Sequence, residues 1–480
     1  MRKRFYIFIL GSFCLFSSFS QQVINQNLFG FCTSNTFTYI DVYDSSFVKR
    51  VNNFSPYVLR FPGGTIGNFY HPQGEAYGFK VSDVEECYSG RFSNRVHTLK
   101  RAAKRMGHHT DYLEDFIALA KTFKSNVIVN ANILNSDKNE IIYVINRLKQ
   151  EGVNVLGVEL GSELSNRAYK KKIESVYDYI LIAKTYSDHI KNLFPDIKVG
   201  VVAAPIKENI PDRIQNWNSI LAKENFYDAI IHHSYHKVVD GMEDAGVMIS
   251  EDIVDNSNTE LYNLYKQRII KELIIGFPKR IKQYNNIFND KEIWITEWNL
   301  QMTPTTGNTL FQSLFVAHYM LNLLYDSSLC NINIATYHNL AGRDLSASIF
   351  QNKNKNILTH STYMPFNMIS KIFTNNIKKI DKVIIDSNCY VFNCYDSLDN
   401  IEMIYFINWS AQEYQIAYEE LSLINLSFKK GASHYSNNLF DRPDDDGSFF
   451  NAELDAKFYF CKSGDSVIIP AYSVSYIIRD

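Results

Sequence analysis

Val155-Leu156-Gly157-Val158-Glu159-Leu160-Gly161-Ser162-Glu163 and Ile293-Trp294-Ile295-Thr296-Glu297-Trp298-Asn299 decide how this 480-residue chain is read. Each stretch opens as a β-rich run that is apolar at both odd and even positions, and each closes on a carboxylate. A strand apolar through both parities is covered on both faces, as parallel strands flanked by helices are. Six further short runs read as strands, most of them also apolar through both parities: Leu28–Cys32, Tyr57–Phe61, Asn126–Asn132, Lys198–Ala203, Tyr227–Ser234 and Ile332–Tyr337. With Val155–Leu160 and Glu292–Glu297 the count is eight.

Helical spacing of apolar residues separates most of these runs, in Asp111–Phe123, Glu140–Leu148, Ile173–Leu193, Thr259–Tyr284, Leu310–Tyr325 and Ser361–Phe373. Eight strands alternating with helices predict an α/β fold, a (β/α)8 TIM barrel, over residues 21–376. A doubly wound sheet is the other topology that alternation allows. The strand count and the clustering of polar strand ends favour the barrel. Beyond residue 376 helical patterns stop. Lys382–Ile385, Cys389–Tyr395, Glu402–Asn408, Glu413–Ala417, Ser422–Phe428, Phe458–Cys461 and Ser466–Ile478 read as strands with turn residues between them, so 377–480 is expected to be a C-terminal antiparallel β-sandwich.

Composition bounds the function. Hydrophobic residues are 46% and charged residues 21%, ordinary for a globular protein. The net charge of −2 argues against a partner held by counterion release, so no nucleic acid is expected. Arg2, Lys3 and Arg4, the apolar run Phe5–Phe16 and the small residues Ser18 and Ser20 read as a cleaved signal peptide over 1–20. The expected location is therefore exported: periplasmic, cell-surface or secreted, with no integral membrane span once the signal is removed. Of seven cysteines, Cys14 leaves with the signal. The other six show no zinc-like spacing, and free thiols or one or two bridges are expected of them.

In a barrel, chemistry sits at the C-terminal ends of the strands. The fourth strand delivers Glu163 there and the seventh delivers Glu297, 134 positions later (297 − 163). The second ends Leu59-Arg60-Phe61-Pro62-Gly63-Gly64, the sixth His232-His233-Ser234-Tyr235, the eighth Thr336-Tyr337-His338-Asn339. Two carboxylates across one pocket suit glycosidic cleavage, where one gives a proton to the leaving oxygen and the other, ionised, faces the anomeric carbon. Strand order lets Arg60 pair with Glu297 and Tyr235 donate a hydrogen bond to it. Glu163, near aromatic rings and without such a partner, would keep its proton.

LRFPGG, ELGSE, HHSY and ITEWN, in that order over about residues 25–480, resemble the retaining glycoside hydrolases whose acid/base ends strand four and whose nucleophile ends strand seven. The nearest groups are the α-L-arabinofuranosidases and the β-glucuronidases and heparanases. The resemblance implies Glu163 as acid/base, Glu297 as nucleophile, Arg60 and Tyr235 as its orienting partners, and Asn130, His233, Trp298, Tyr337 and Asn339 around the sugar. It implies a carbohydrate substrate and no cofactor or metal. One departure stands out. The family has Gly-Asn-Glu where this chain has Gly161-Ser162-Glu163, and that Asn holds the sugar 2-hydroxyl, so Ser162 would contact the substrate with a shorter reach.

Blander readings compete. Glu159 suits a supporting carboxylate better than a catalyst. His232, His233 and His236 are close enough in sequence to raise the question of a metal, which this chemistry does not need. Lys170-Lys171-Lys172 reads as a solvated face or as a contact for an acidic sugar. Ser162 also admits a catalytically weak or inactive carbohydrate-binding relative of the same fold, and a purely structural envelope protein is the third class.

Overall fold

The computed structural model describes residues 24–479 except 91, 108–109, 208–210, 245–246, 251–257, 290, 327–329, 343–347, 355, 418, 420, 422–427, 437 and 443–465. The expected signal peptide, the strand at Phe458–Cys461, most of Ser422–Phe428 and the pair His108-His109 lie outside the described residues.

Eight parallel strands close into a barrel: β1 Gly30–Cys32, β2 Val58–Phe61, β3 Asn126–Ala131, β4 Val155–Leu160, β5 Lys198–Val202, β6 Ala229–His236, β7 Glu292–Leu300 and β8 Ile332–His338. Neighbours follow chain order, and β8 closes on β1 with Thr336 opposite Gly30. The doubly wound alternative is thereby excluded. β6 and β7 run two and three residues past their expected ends, and this carries polar residues up to the rim.

Inside the barrel Val58, Ile128, Ala229, Trp294 and Ile334 form a closed apolar plug. The Trp294 indole reaches across it. A Cβ on Gly157 would stand 2.2 Å from Trp294 Cη2, and one on Gly200 3.0 Å from its Cε3. Two glycines opposite one tryptophan are the small-against-large matching that fills a barrel interior.

Helices cover the outside, and side-chain caps start several of them. Asp111 caps Tyr112–Phe123 by accepting the Leu113 N–H at 3.0 Å. Ser175 and Asp178 form a reciprocal capping box on Val176–Leu193. The expected helix Thr259–Tyr284 is instead two helices, Asn258–Lys271 and Phe277–Phe288, joined by a π-helical turn at Glu272–Gly276. Pro278, in the first turn of the second helix, has no N–H to give the preceding turn, and the wider turn accommodates it. The helix Phe92–Arg105, a hairpin of Gly241–Asp244 with Val247–Ser250, and short strands between 341 and 359 were not expected. They sit in the loops at the barrel rim.

The C-terminal part contains β9 Lys379–Ile384, β10 Cys389–Tyr395, β11 Ile401–Asn408, β12 Tyr414–Ala417, β13 Phe428–Tyr435, β14 Ser466–Ile469 and β15 Ser473–Arg479. A five-stranded antiparallel sheet ordered β9-β10-β11-β15-β13 packs on the pair β12-β14 over Cys389, Val391, Ile404, Phe406, Ile416 and Val467. The single expected strand Ser466–Ile478 is two strands. Pro470 lacks the N–H a ladder needs, and Tyr472 takes φ +43°, so the chain turns there. Cys389 faces the sandwich interior and Cys394 the opposite side, and the five described cysteines are unbridged.

That opposite side is continuous with the barrel. Tyr390, Phe392, Met403 and Tyr405 belong to the same core as the barrel's helices. Leu310–Asp326 lies between the two, and 15 of its 17 residues are buried, as an all-round apolar helix requires. His318 on this helix accepts the Trp409 indole N–H at 3.1 Å. Lys382 Nζ donates to Asn322 Oδ1 at 3.0 Å.

Candidate active site

Arg60, fully buried, organises the barrel mouth. Its Nε and Nη2 grip both oxygens of Glu159 at 2.8 and 2.6 Å, a two-pronged guanidinium–carboxylate pair. Its Nη1 donates to Glu297 Oε1 at 2.6 Å. The Tyr235 hydroxyl donates to the other oxygen, Oε2, at 2.6 Å. Both oxygens of Glu297 are thus held by donors from two other strands, and the carboxylate plane is fixed. Glu159, read from sequence as a supporting carboxylate, occupies that position through Arg60.

The turn after β2 makes this possible. Gly63 has φ +74° and Gly64 φ +62°, the left-handed region that favours glycine. A Cβ on Gly63 would stand 2.3 Å from Cys32 Sγ and 2.9 Å from Arg60 Nη1. One on Gly64 would lie 3.8 Å from Glu297 Oε1. The pair is both a tight turn and a close backbone approach to the carboxylate.

After β4 the chain turns sharply at Gly161, with φ +86°, and Glu163 itself has φ +53°. Asn68 holds the turn from the neighbouring loop: its Oδ1 accepts the Ser162 N–H at 2.8 Å and its Nδ2 donates to the Ser162 carbonyl at 2.7 Å. The Ser162 hydroxyl is buried, with no hydrogen-bond partner among the described residues. The Glu163 side chain is 45% exposed, against 5% for Glu297.

His233 stands between the two carboxylates. Its Nδ1 lies 2.9 Å from Glu163 Oε1 and 3.6 Å from Glu297 Oε2. One oxygen of each glutamate and this nitrogen all fall within 4.8 Å of one another. Glu163 therefore has a partner, contrary to the sequence expectation that left it among aromatic rings. Burial alone would push His233 down, but the facing Glu297 and the hydrogen-bonded Glu163 outweigh it and raise its pKa. Burial likewise pushes the Glu297 carboxyl up. His233, His338, Arg60 and the Tyr235 hydrogen bond prevail and hold it well below the ordinary carboxylate range. His338 groups with the same carboxylate, and burial outweighs the facing Glu297 and pushes its pKa below the usual value.

The pleat sorts the remaining residues. Asn130 points inward, its Nδ2 3.4 Å from Glu159 Oε2, while its Oδ1 lies only 1.7 Å from where a Cβ on Gly67 would stand. On β6, His233 and Tyr235 face the interior. The alternate residues His232 and His236 face the helices, with His232 against Tyr284 and His236 bonded to Glu272 at 3.0 Å. The three histidines are not one cluster.

Trp298 and Tyr337 depart from their expected place beside the sugar. Both are buried in the helical layer outside the barrel. Trp298 packs on Tyr319, and Tyr337 on Trp298 and Phe366. Trp298 follows the inward Glu297, so alternation turns it outward. Asn339 is also buried, with its Oδ1 3.6 Å from where a Cβ on Gly342 would stand. The inward residue of β8 is His338, which the sequence reading quoted but passed over for its neighbours; counting the pleat back from Tyr337 identifies it.

Two groups bring ligand-type atoms together, Cys32–Glu297–His338 and Glu163–His233–Glu297. Both share Glu297, whose oxygens already accept from Arg60 and Tyr235. A metal there would be set against the guanidinium cation 2.6 Å from the same carboxylate.

The fold is that of the family 51 arabinofuranosidases. A family 51 α-L-arabinofuranosidase from Bifidobacterium longum superposes with a TM-score of 0.63 over 96% of this chain and 97% of its own, at 10% identity. The GH51 arabinofuranosidase from Xanthomonas axonopodis pv. citri gives 0.66 over 95% and 97%, at 12% identity. A 4-O-α-L-rhamnosyl-β-D-glucuronidase from Fusarium oxysporum gives 0.58 over 96% and 98%, also at 12%. At these identities the likeness to the family 51 fold is one of architecture, a barrel followed by a sandwich. No protein-family profile matches the sequence, nor does any curated protein sequence.

Proposed function

We propose that the protein is a glycoside hydrolase acting with retention through a covalent glycosyl-enzyme. Glu297 attacks the anomeric carbon while Glu163 protonates the leaving oxygen, and Glu163 then takes a proton from the incoming water. The observation that carries this reading is the unequal pair: Glu297 is buried and held by two donors from other strands, Arg60 and Tyr235, with His233 beside it, and Glu163 is half-exposed across the mouth. Their nearest oxygens come within 4.8 Å. That is on the short side expected when the second carboxylate attacks directly, since inversion needs about 6.5–9.5 Å to admit a water. Arg60 and Tyr235 are the orienting residues, with Asn130, His233 and Ser162 beside the sugar. We propose an exported location from the leader-like residues 1–20 and a division into domains at 376/377.

Incubation of the purified protein with a panel of mechanism-based glycosyl inhibitors, followed by intact mass and peptide mapping, tests the mechanism. An adduct on Glu297 is expected, and the sugar that labels names the glycone.

A second reading rests on the Ser162 hydroxyl, buried and without a protein partner. A binding relative that has lost turnover would bind sugar by calorimetry yet label with none of the panel.

A further inference from the structure

The loop between β2 and β3 contains an element the proposed chemistry does not use. The helix Phe92–Arg105 buries Phe92, Val96, Leu99, Ala102 and Ala103 against the barrel. Its other faces expose Arg95, Lys100, Arg101, Lys104 and Arg105, and it contains no acidic residue. From Tyr88 to Thr110 the sequence has six Lys and Arg and no Asp or Glu, in a chain whose net charge is −2. Among the described residues none of the helix's five cations has an ion-pair partner. A like-charged row sets up a positive potential along this face and raises the local concentration of anions there.

This helix also leads to the active site. Its first turn borders a cavity of about 320 Å3 lined by Glu85, Tyr88, Ser89, Ser93 and Lys171. Tyr88 packs edge-on against Tyr169, and the Ser89 N–H donates to the Ala168 carbonyl at 2.7 Å, both on the segment that follows Glu163. Lys170 and Lys171 are exposed on the loop after β4, and Lys171 Nζ donates to the Glu85 carbonyl at 2.8 Å, which places that cation at the cavity wall.

We infer that Phe92–Arg105, the cavity at Tyr88 and Lys171 together bind the leaving-group side of a polyanionic glycan, one with carboxylate or sulfate groups along its chain. The side follows from Glu163: the group that protonates the leaving oxygen faces the part of the substrate that departs, so this inference rests on the reading of Glu163 above. Serine and tyrosine hydroxyls in the cavity offer hydrogen bonds to sugar hydroxyls, while the cations track the anionic groups. That mixture, leading to a carboxylate pair, favours a glycan over a lipid surface or a nucleic acid.

Affinity is measured by calorimetry on the full mature chain with Glu297→Ala in place, so that no turnover intervenes. The probes are polygalacturonate, the same polymer after carboxyl reduction, and a sulfated galactan. Binding of at least one charged polymer is expected, with the reduced polymer much weaker. Affinity should fall roughly tenfold from 50 to 200 mM salt for every two cation–anion contacts made. Arg101→Glu with Arg105→Glu, both on the exposed face, is expected to weaken the charged polymer roughly tenfold and to leave the melting temperature in place. Carboxylate against sulfate preference separates the two sources of charge. Equal binding of charged and reduced polymers overturns the inference. So does tighter binding of anionic vesicles or single-stranded DNA than of any glycan. Labelling of Glu297 by a neutral glycosyl inhibitor without polyanion preference would sink this inference and leave the hydrolase reading standing. Polyanion binding without any label would do the reverse.

Discussion

Arg60 and Glu159 share two hydrogen bonds of 2.8 and 2.6 Å in the middle of the barrel, both side chains fully excluded from solvent. The pair consumes two edges of the guanidinium and leaves one, Nη1, for Glu297. The position of the proposed nucleophile is therefore set two steps away, by a carboxylate on β4 that does not touch it. Removing Glu159 leaves a buried cation with only Glu297 to balance it. Glu159→Ala is expected to lower stability by about 3–5 kcal/mol, read from denaturant unfolding. A variant as stable as the parent would mean the pair contributes nothing.

Tyr235→Phe deletes one hydrogen bond to an ionised oxygen and leaves the ring packing. Such bonds contribute about 1.5–3 kcal/mol. The expected loss in kcat/KM is about 10- to 100-fold, with an unchanged fold by circular dichroism and a higher pKa on the acidic limb of the pH profile.

For Glu163→Ala the outcome depends on the leaving group. Proton donation contributes about 10²–10⁴-fold, so kcat/KM on a sugar leaving group should fall by that factor. An aryl leaving group that departs without a proton should lose far less in the glycosylation step. Equal losses on both would remove Glu163 from the acid role.

Stability against pH should reveal His233. Its folded pKa is raised, so its contribution is complete below the ordinary histidine value of about 6.5 and is lost as pH rises through the folded value. The melting-temperature gap between the parent and His233→Asn should be widest below pH 6.5 and narrow on the alkaline side. Glu297 has the opposite sign. Its depressed pKa adds stability above the usual carboxylate value, lost only as pH falls through the lower folded one.

Gly67→Ala would place a methyl on the Asn130 amide and drive that side chain off Glu159. Since backbone and side chain cannot both stay, activity and stability should fall together, and Gly67→Ala with Asn130→Ser should recover stability but not activity.

The barrel was legible because its strands are apolar on both parities, a pattern few other structures share, and because Gly, Pro and polar residues mark the strand ends. What local pattern could not carry was direction. Trp298 and Tyr337 looked like sugar platforms because both are aromatic and both end strands, yet the pleat fixed by Glu297 sends Trp298 outward. The same count would have selected His338. Ser466–Ile478 read as one strand because its apolar residues outvoted a single Pro470, although one missing N–H is enough to end a ladder. The helix Phe92–Arg105 escaped because its cations dilute the apolar stripe. Arg60, Glu163, Tyr235 and Glu297 converge from four strands, a juxtaposition that exists only once the barrel closes.

The helix Leu310–Asp326 has a consequence for inheritance. Clothed on one side by the barrel and on the other by the sheet of β9–β11 and β15, it has no solvent face to fall back on. A gene cut after residue 376 would encode a barrel with a bare greasy flank, prone to precipitate before it could be assayed. The sandwich is accordingly no interchangeable cassette, and a lineage that mutates one partner of this seam must answer in the other.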